Sequence, residues 1–407
     1  MSLNKERIAI VSTSFPPLGG GGVSSSHYNL FSALKERGYN VHGFTFGDGE
    51  KKLLENEEGI IRYGLPPLLI KMIHLFIFIV LRVAGEKGNL FQLSDALAGA
   101  IAGFFLSKNI RKFNPQIMIL PDHGAPGAFI PKIKGCKTIL ISHHNPIRFV
   151  NEPLFGVHSQ RDSELAIKVE NLALSKADGV ICPSLNMKDF FSKTYSFNGP
   201  VDVIPNLLDT EMIKNIGGTS LHAQTNLSKD APIVYVPSAG SVYKGSSFVV
   251  EIIRRLASDY HGEIGFYLSG DIGIELARSL EFLPANAHLI TPGKVSYSEN
   301  IGNIKSCALC VSPTLIESFG MALLESQACG IPVVAFDAGG NRSVVNNGKT
   351  GYIVPFADVE KLISYAKKLL FSEELRTNYS INALSYVREN FSEEIIIEKF
   401  LDFSLTL

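Results

Sequence analysis

The stretch Pro313-Thr-Leu-Ile-Glu317-Ser318-Phe319-Gly320-Met321-Ala-Leu-Leu-Glu325 decides the fold of this chain. Before it, Ala308-Leu-Cys-Val311 is an apolar run that reads as a buried parallel strand. After it, Phe319–Cys329 has helical length and good helix formers, and Ser318 is placed to cap it. Gly330 stops that helix and Pro332 opens the next strand. Glu317 therefore stands just before a helix N-terminus, and Glu325 lies up to ~12 Å further along the helix. Between them are unpaired backbone N–H groups and the positive end of a helix dipole, which favour a phosphate. Carboxylates that can grip hydroxyls thus flank an anion site, and a sugar nucleotide has that layout.

Outward from this junction the pattern repeats. Strands are predicted at Arg7–Ser12, Val41–Phe46, Ile117–Leu120, Thr138–Ser142, Gly179–Cys182 and Val201–Ile204. A second series runs Ile233–Val236, Gly265–Ser269, His288–Ile290, Ala308–Val311, Val333–Phe336 and Gly351–Val354, with helical patterns between. Alternation of this kind implies an α/β fold with two doubly wound parallel sheets, each covered by helices on both faces. The 407 residues exceed what one core usually supports, which also suggests two domains. The expected division is 1–205 and 206–391, with an amphipathic C-terminal helix, 392–407, packing back on the first domain. Two such domains are expected to face each other across a cleft, with ligands at strand C-termini.

Composition excludes some classes. Thirty-eight basic against 39 acidic residues leave a net charge of −1, so no electrostatic case exists for nucleic acid as a partner. The five cysteines are an odd, scattered set, which fits a reducing compartment better than a disulfide framework. The N-terminus, Met-Ser-Leu-Asn-Lys-Glu-Arg, is polar and leads straight into a strand, so no signal peptide is expected.

Several motifs carry chemistry. Gly19-Gly20-Gly21-Gly22 follows the first strand and opens the first helix, where glycines let backbone approach a phosphate or sugar closely. The run lacks the G-x-G-x-x-G spacing of a dinucleotide site, because Ser24 stands at the third position. His143-His144-Asn145 follows a strand, where site residues collect, and contact with the transferred sugar is the preferred reading over a satisfied loop histidine. Lys244 follows the first strand of the second series and can neutralise a phosphate; an exposed lysine is the plain alternative. Glu325 sits in an otherwise apolar stretch, where a bare charge is costly, which favours a ligand or partner for it. Cys307-Ala-Leu-Cys310 lies on a buried strand without a second ligand pair and reads as structural. Gly348-Lys-Thr lacks the first glycine of a P-loop and reads as a turn.

One segment stands apart. Within Leu65–Arg82 the uncharged core Met72–Leu81 is ten residues long, too short for a bilayer span of about 20. A helix packed between domain layers is the preferred reading. The sharper alternative is an interfacial element over residues 65–84 that touches a membrane or lipid-linked acceptor, with Lys71, Arg82 and Lys87 meeting lipid phosphates.

Together these residues resemble a family 4, or group 1, retaining glycosyltransferase of GT-B architecture. Glu317 to Glu325 matches the family's Glu-x7-Glu motif, and Ala328–Gly340, Gly348–Pro355, Val203–Asp209, Phe15-Pro-Pro and Lys244-Gly245 are also similar to its pattern. The resemblance is strong in the second half and weak from Asp48 to Pro115. It implies that Glu317 holds hydroxyls of the donor sugar and Glu325 the ribose. It places the backbone N–H groups of Phe319, Gly320 and Met321 near the sugar and phosphate, along with Gly20, Gly21, Gly22, Ser241 and Ser318. Lys244 would bind the diphosphate, His144 the donor sugar, and Val295 would border the base.

Three positions depart from the family pattern. Ser238 stands where a diphosphate-binding Gly-Arg pair is usual, Asn145 replaces an acid, and Ser343 stands where a glutamate often follows Gly-Gly. By the resemblance, the activity is sugar transfer from a UDP- or GDP-linked donor to a glycan or lipid-linked acceptor, with retention and without a metal. It would serve cell-envelope polysaccharide synthesis in the cytoplasm, peripheral to the membrane. A sugar-nucleotide epimerase and a catalytically weak binding protein are the competing readings, the second favoured by the missing arginine.

Overall fold

The computed structural model describes residues 6–16, 21–47, 54–55, 59–150, 152–225 and 227–407. They form two units, Met1–Leu207 with Glu393–Leu407, and Leu208–Ser392.

The first unit carries β1 (Arg7–Ser12), β2 (Asn40–Thr45), β3 (Leu54–Glu55), β4 (Ile60–Arg62), β5 (Ile117–Pro121), β6 (Lys137–Ile141), β7 (Gly179–Cys182) and β8 (Val201–Val203). Their order is β3-β4-β2-β1-β5-β6-β7-β8. All neighbours are parallel except β3 against β4. Successive side chains of β1 point to opposite faces: Ile8 and Ile10 join one apolar cluster, Ala9 and Val11 the other. Both faces are thus buried, which is why the strand reads as an unbroken apolar run. The helix Gly22–Glu36 covers the first face through Leu30, Phe31 and Leu34. The last helix, Glu393–Thr406, lies on the same side and buries Ile396, Ile397, Phe400 and Phe403 there. Arg37 Nη1 lies 2.7 Å from Glu393 Oε1 and ties the two helices at their ends.

Strands β3 and β4 are absent from the sequence reading. They are two and three residues long, too short for a periodic signal. β3 also adds an antiparallel edge to a sheet expected to be wholly parallel.

The segment around Met72 corrects a second expectation. It forms the helix Pro67–Val83, but not one packed between layers. Only Ile77 and Leu81 are buried, with Leu69, Ile70 and Ile73 partly covered against the core. The opposite side is exposed. Among the described residues no helix is long and apolar enough to cross a membrane.

The second unit has β9 (Ile233–Val236), β10 (Ile264–Leu268), β11 (Ala287–Ile290), β12 (Leu309–Ser312), β13 (Val333–Phe336) and β14 (Gly351–Val354). All are parallel, in the order β11-β10-β9-β12-β13-β14. Counted from β9 this is 3-2-1-4-5-6, the doubly wound order of nucleotide-binding sheets. The chain spreads one way from β9 and the other way from β12, so helices leave the C-terminal ends of these two strands to opposite faces. The gap between them is the switch point, where ligands of such sheets bind. All five cysteines are free thiols. Burial pushes the Cys310 thiol up to about 12, as expected for a structural residue on β12.

Candidate functional site

The loops after β9 and β12 meet at the switch point of the second unit. After β9 the chain makes a tight turn in which the Ser241 carbonyl accepts N–H groups from Lys244 and Ser246. The Tyr243 carbonyl then accepts from Leu315 and Ile316 of the loop after β12, at 3.0 and 3.3 Å. Gly245 makes this contact possible. It has φ +80°, and a Cβ there would stand 2.0 Å from the Pro313 carbonyl oxygen. Two loops from different strands are therefore bonded backbone to backbone, and the side chain next to that seam is Lys244.

Lys244 Nζ donates to Glu317 Oε2 at 2.7 Å. Glu317 Oε1 accepts from the Ser318 N–H at 3.1 Å and the Phe319 N–H at 3.5 Å. Burial pushes this carboxyl up, but Lys244 and the two N–H groups outweigh it and hold it below the usual carboxylate range. Glu317 is thus ionised in a place where an isolated carboxylate is costly.

The helix after Glu317 begins later than its sequence suggests. It spans Met321–Ala328, and Gly320 at φ +111° is its N-cap. Ser318 does not cap it. The positive φ open to Gly320 lets the chain turn sharply after Phe319, whose ring is buried in the core, edge-on to Phe391 at 5.9 Å. Phe319 can therefore offer only its backbone to a ligand. The N–H groups of Met321 and Ala322 lack intrahelical acceptors and point toward the Glu317 end, whereas those of Leu323 and Leu324 donate to the Gly320 carbonyl at 3.0 Å.

Glu325 lies one turn along this helix and is 9% exposed. Its carboxyl has no hydrogen bond or ion pair among the described residues, and burial pushes it up to about 8. A buried carboxyl without a counter-charge or donor is costly, which is why its proton is held so firmly. Val295 is half-buried on the loop between β11 and the helix Tyr297–Ile304. Beside it an open pocket of about 400 Å³ lies at the ends of β10 and β11, lined by Gly270, Asp271, Ile272, Thr291, Gly293 and Lys294.

Two departures from the family pattern have local explanations. Ser238, at φ +49°, donates its N–H to Ser269 Oγ, so its backbone serves the turn that sets up Ser241. Asn145, in the first unit, is fully buried at φ +58°. Its Nδ2 donates to the Phe190 carbonyl and to Thr194 Oγ1, while its Oδ1 accepts from the Ile147 N–H. An acid cannot make those two donations. Ser343 sits in the short helix Asn341–Val344, and its N–H bonds the Gly340 carbonyl.

The first unit gathers the remaining candidates at its own switch point, between β1 and β5. Of the glycine run, Gly21 at φ +110° caps the helix Gly22–Glu36, and Gly22 opens it; Gly19 and Gly20 lie outside the described residues. Arg62 on β4 steadies the loop before them by donating to the carbonyls of Phe15 and Pro16 at 2.7 and 2.5 Å. His144 is half-buried, with Nε2 2.7 Å from Gln92 Oε1. Donation to that carbonyl oxygen leaves Nδ1 of the neutral ring to accept. Burial, with His123 and Arg148 nearby, holds this imidazole well below its ordinary range, so it is neutral at physiological pH.

A residue that the sequence reading missed organises this region. Asp122 follows β5 and is buried. Its carboxylate accepts from Ser142 Oγ at 3.0 Å and from the N–H groups of His123, His143 and His144 at 2.7 to 3.1 Å. It joins the end of β5 to the end of β6 and fixes the histidine loop. Burial nevertheless leaves the carboxyl above its usual range, against the lowering effect of these bonds. Its signal in the sequence was an acid directly after a strand, in Pro121-Asp122-His123-Gly124. His27 was missed as well. It is buried, Nδ1 bonds the Val11 carbonyl at 3.0 Å, its ring lies 5.4 Å from that of His143, and burial pushes it down to about 4. His27 Nε2 and Gln92 Nε2 are buried without a hydrogen-bond partner among the described residues. No group of three or more His, Cys, Asp or Glu among the described residues could hold a metal ion.

Comparison with known proteins gives two family matches. The model described as "Glycosyl transferases group 1" matches residues 219–385, and that described as "Glycosyltransferase Family 4" matches 20–212. N-acetyl-alpha-D-glucosaminyl L-malate synthase of Bacillus anthracis is 23% identical over 97% of this chain and 96% of its own. Among solved structures, sucrose-phosphate synthase of Thermosynechococcus elongatus superposes with TM-score 0.73 at 18% identity, covering 98% of each chain. HepE of Anabaena, solved in complex with UDP-glucose, gives 0.70 at 17% identity over 99% of this chain and 100% of its own. At these identities the likeness shows the GT-B fold: two parallel-sheet α/β domains.

Proposed function

Since the chain belongs to the group 1, family 4 glycosyltransferases, we propose that it moves a sugar from a nucleotide-sugar donor to a glycan or lipid-linked acceptor. The donor is a UDP- or GDP-linked sugar, and transfer retains the anomeric configuration without a metal. The observation that carries this reading is the pair of glutamates flanking one helix start. Glu317 is ionised against Lys244, while Glu325 is buried with no hydrogen-bond or ion-pair partner among the described residues.

A nucleotide sugar supplies what each lacks. The ribose diol donates to the Glu325 carboxyl and relieves its burial. The sugar hydroxyls donate to Glu317. The diphosphate draws Lys244 and the N–H groups at the start of the helix Met321–Ala328. The pocket beside Val295 takes the base. His144 and the backbone at Gly21 and Gly22 contact the transferred sugar. In the reaction the bond from the anomeric carbon to the phosphate oxygen breaks, and the acceptor oxygen bonds that carbon on the same face. The acceptor proton passes to the departing diphosphate. These residues position the partners and stabilise leaving charge; none need act as acid or base. The setting proposed is envelope polysaccharide synthesis, by a cytoplasmic protein held at the inner face of a membrane.

The test is turnover of UDP- and GDP-sugars by purified protein in EDTA with mixed glycan and lipid acceptors. Transfer that survives chelation and disappears in Glu317→Ala is the expected result. Wild-type turnover in Glu317→Ala overturns the site, and loss of turnover on chelation overturns metal independence. Donor converted to an epimer without acceptor replaces transfer with epimerisation.

A further inference from the structure

We infer that the helix Pro67–Val83 is a docking surface for an anionic lipid bilayer, lying in the plane of the membrane with its outer ridge among the acyl chains. This deepens the peripheral placement proposed above and rests on it.

The ridge follows from helical geometry. Leu68, Met72, Leu75, Ile79 and Val83 are spaced by four, three, four and four residues, so they share one side of the helix. That side points away from Ile77 and Leu81, the two residues that bury themselves in the unit. Exposure runs from 50% at Ile79 to 84% at Val83, and Phe76 beside them is 66% exposed. On the neighbouring helix, Gln92–Phe113, Phe104 and Phe105 are exposed as well. Such a contiguous apolar face is rare on a protein surface in water.

Charge selects the occupant. From Leu65 to Pro121 the chain has six cations, Lys71, Arg82, Lys87, Lys108, Arg111 and Lys112, all exposed. It has two acids there, and both are engaged: Glu86 accepts from Ser159 Oγ at 2.7 Å, and Asp95 lies 3.4 Å from His74. The whole chain has a net charge of −1, so this hairpin departs sharply from the rest. Arg82 lies over the Phe78 ring, 4.9 Å from its centroid, with its charge at the edge of the apolar face. Apolar side chains on the outer ridge with cations along its flanks are what an interfacial helix needs to meet acyl chains and lipid phosphates together. A second copy of the same surface would set these cations against one another.

The experiment is sedimentation of the full chain with vesicles of phosphatidylcholine alone or mixed with phosphatidylglycerol, at low and high salt. Binding to the mixed vesicles, weakened by salt, is expected. Phe76→Ser with Ile79→Ser lowers the bound fraction about tenfold or more, and Lys71→Glu with Lys108→Glu lowers it too. All four positions face solvent, and circular dichroism confirms that each variant folds. UDP binding by calorimetry stays unchanged in both variants. Equal pelleting by the serine variant, equal binding to uncharged vesicles, or a dimer in solution that the serine variant dissociates overturns the proposal. Wild-type protein that transfers sugar yet does not pellet ends this inference and leaves the transferase reading standing.

Discussion

Lys244 and Glu317 come from loops after the first and fourth strands of one sheet, 73 residues apart, and meet at 2.7 Å. The seam behind them is backbone to backbone, through the Tyr243 carbonyl. The carboxylate therefore holds the lysine that the donor diphosphate would draw in the proposed function. On the proposed reading, donor binding would redistribute that lysine, and position 238 offers a serine rather than an arginine to assist it.

Lys244→Ala leaves Glu317 in a confined place without its cation. Loss of one charged hydrogen bond of about 1.5–3 kcal/mol weakens UDP or GDP binding roughly 10- to 100-fold. Calorimetry reads this directly, and Lys244→Arg should recover part of it. Equal affinity in Lys244→Ala removes the lysine from the phosphate site.

Glu325 makes stability depend on pH. Its carboxyl rises from an unfolded value near 4.5 to about 8 in the folded chain. The folded state thus holds a proton that the unfolded state has lost. Stability from this group is full below about pH 4.5 and falls as pH rises through 8, by up to ~1.4 kcal/mol per unit. Glu325→Gln removes that slope, so its Tm relative to wild type should be higher at pH 8–9 than at pH 5. Parallel Tm curves for the two proteins refute the assignment.

Asp122→Asn keeps the shape but turns one acceptor oxygen into a donor facing N–H groups. Two of the four donations fixing the His143–His144 loop are lost or opposed, at a cost of about 2–4 kcal/mol. Thermal unfolding measures the cost. A positioning role also predicts that KM for the donor rises before kcat falls, with Asp122→Glu restoring neither. An unchanged Tm and KM would show that the loop holds itself.

Asn145→Asp restores the acid usual in the family, yet it should harm this protein. The new carboxylate meets the Phe190 carbonyl where an amide donated, and one more donation, to Thr194, is lost. A stability loss of about 2 kcal/mol or more, with no gain in turnover, is the expected outcome. A more active and equally stable variant would reverse this account.

What the sequence determined by itself was the alternation of apolar runs with helical patterns, and with it the two parallel sheets. Parallel strands are buried on both faces, so each core strand is written as a continuous apolar run that local reading can find. The Glu317–Glu325 spacing, Lys244 and the glycine run were legible for the same reason, each standing directly after such a strand. Short edges were not legible: β3 and β4 carry too few residues for a period, and so Arg62, which steadies the loop of Phe15 and Pro16, had no assigned place. Nor could sequence fix the helix start at Gly320 rather than Ser318, because a positive φ is set by packing around Phe319. Only the tertiary structure paired Lys244 with Glu317, left Glu325 without a partner among the described residues, and gathered four donors on Asp122. It also turned Met72–Leu81 outward. Ten apolar residues name no direction, and what a helix faces is decided by neighbours that lie far along the chain.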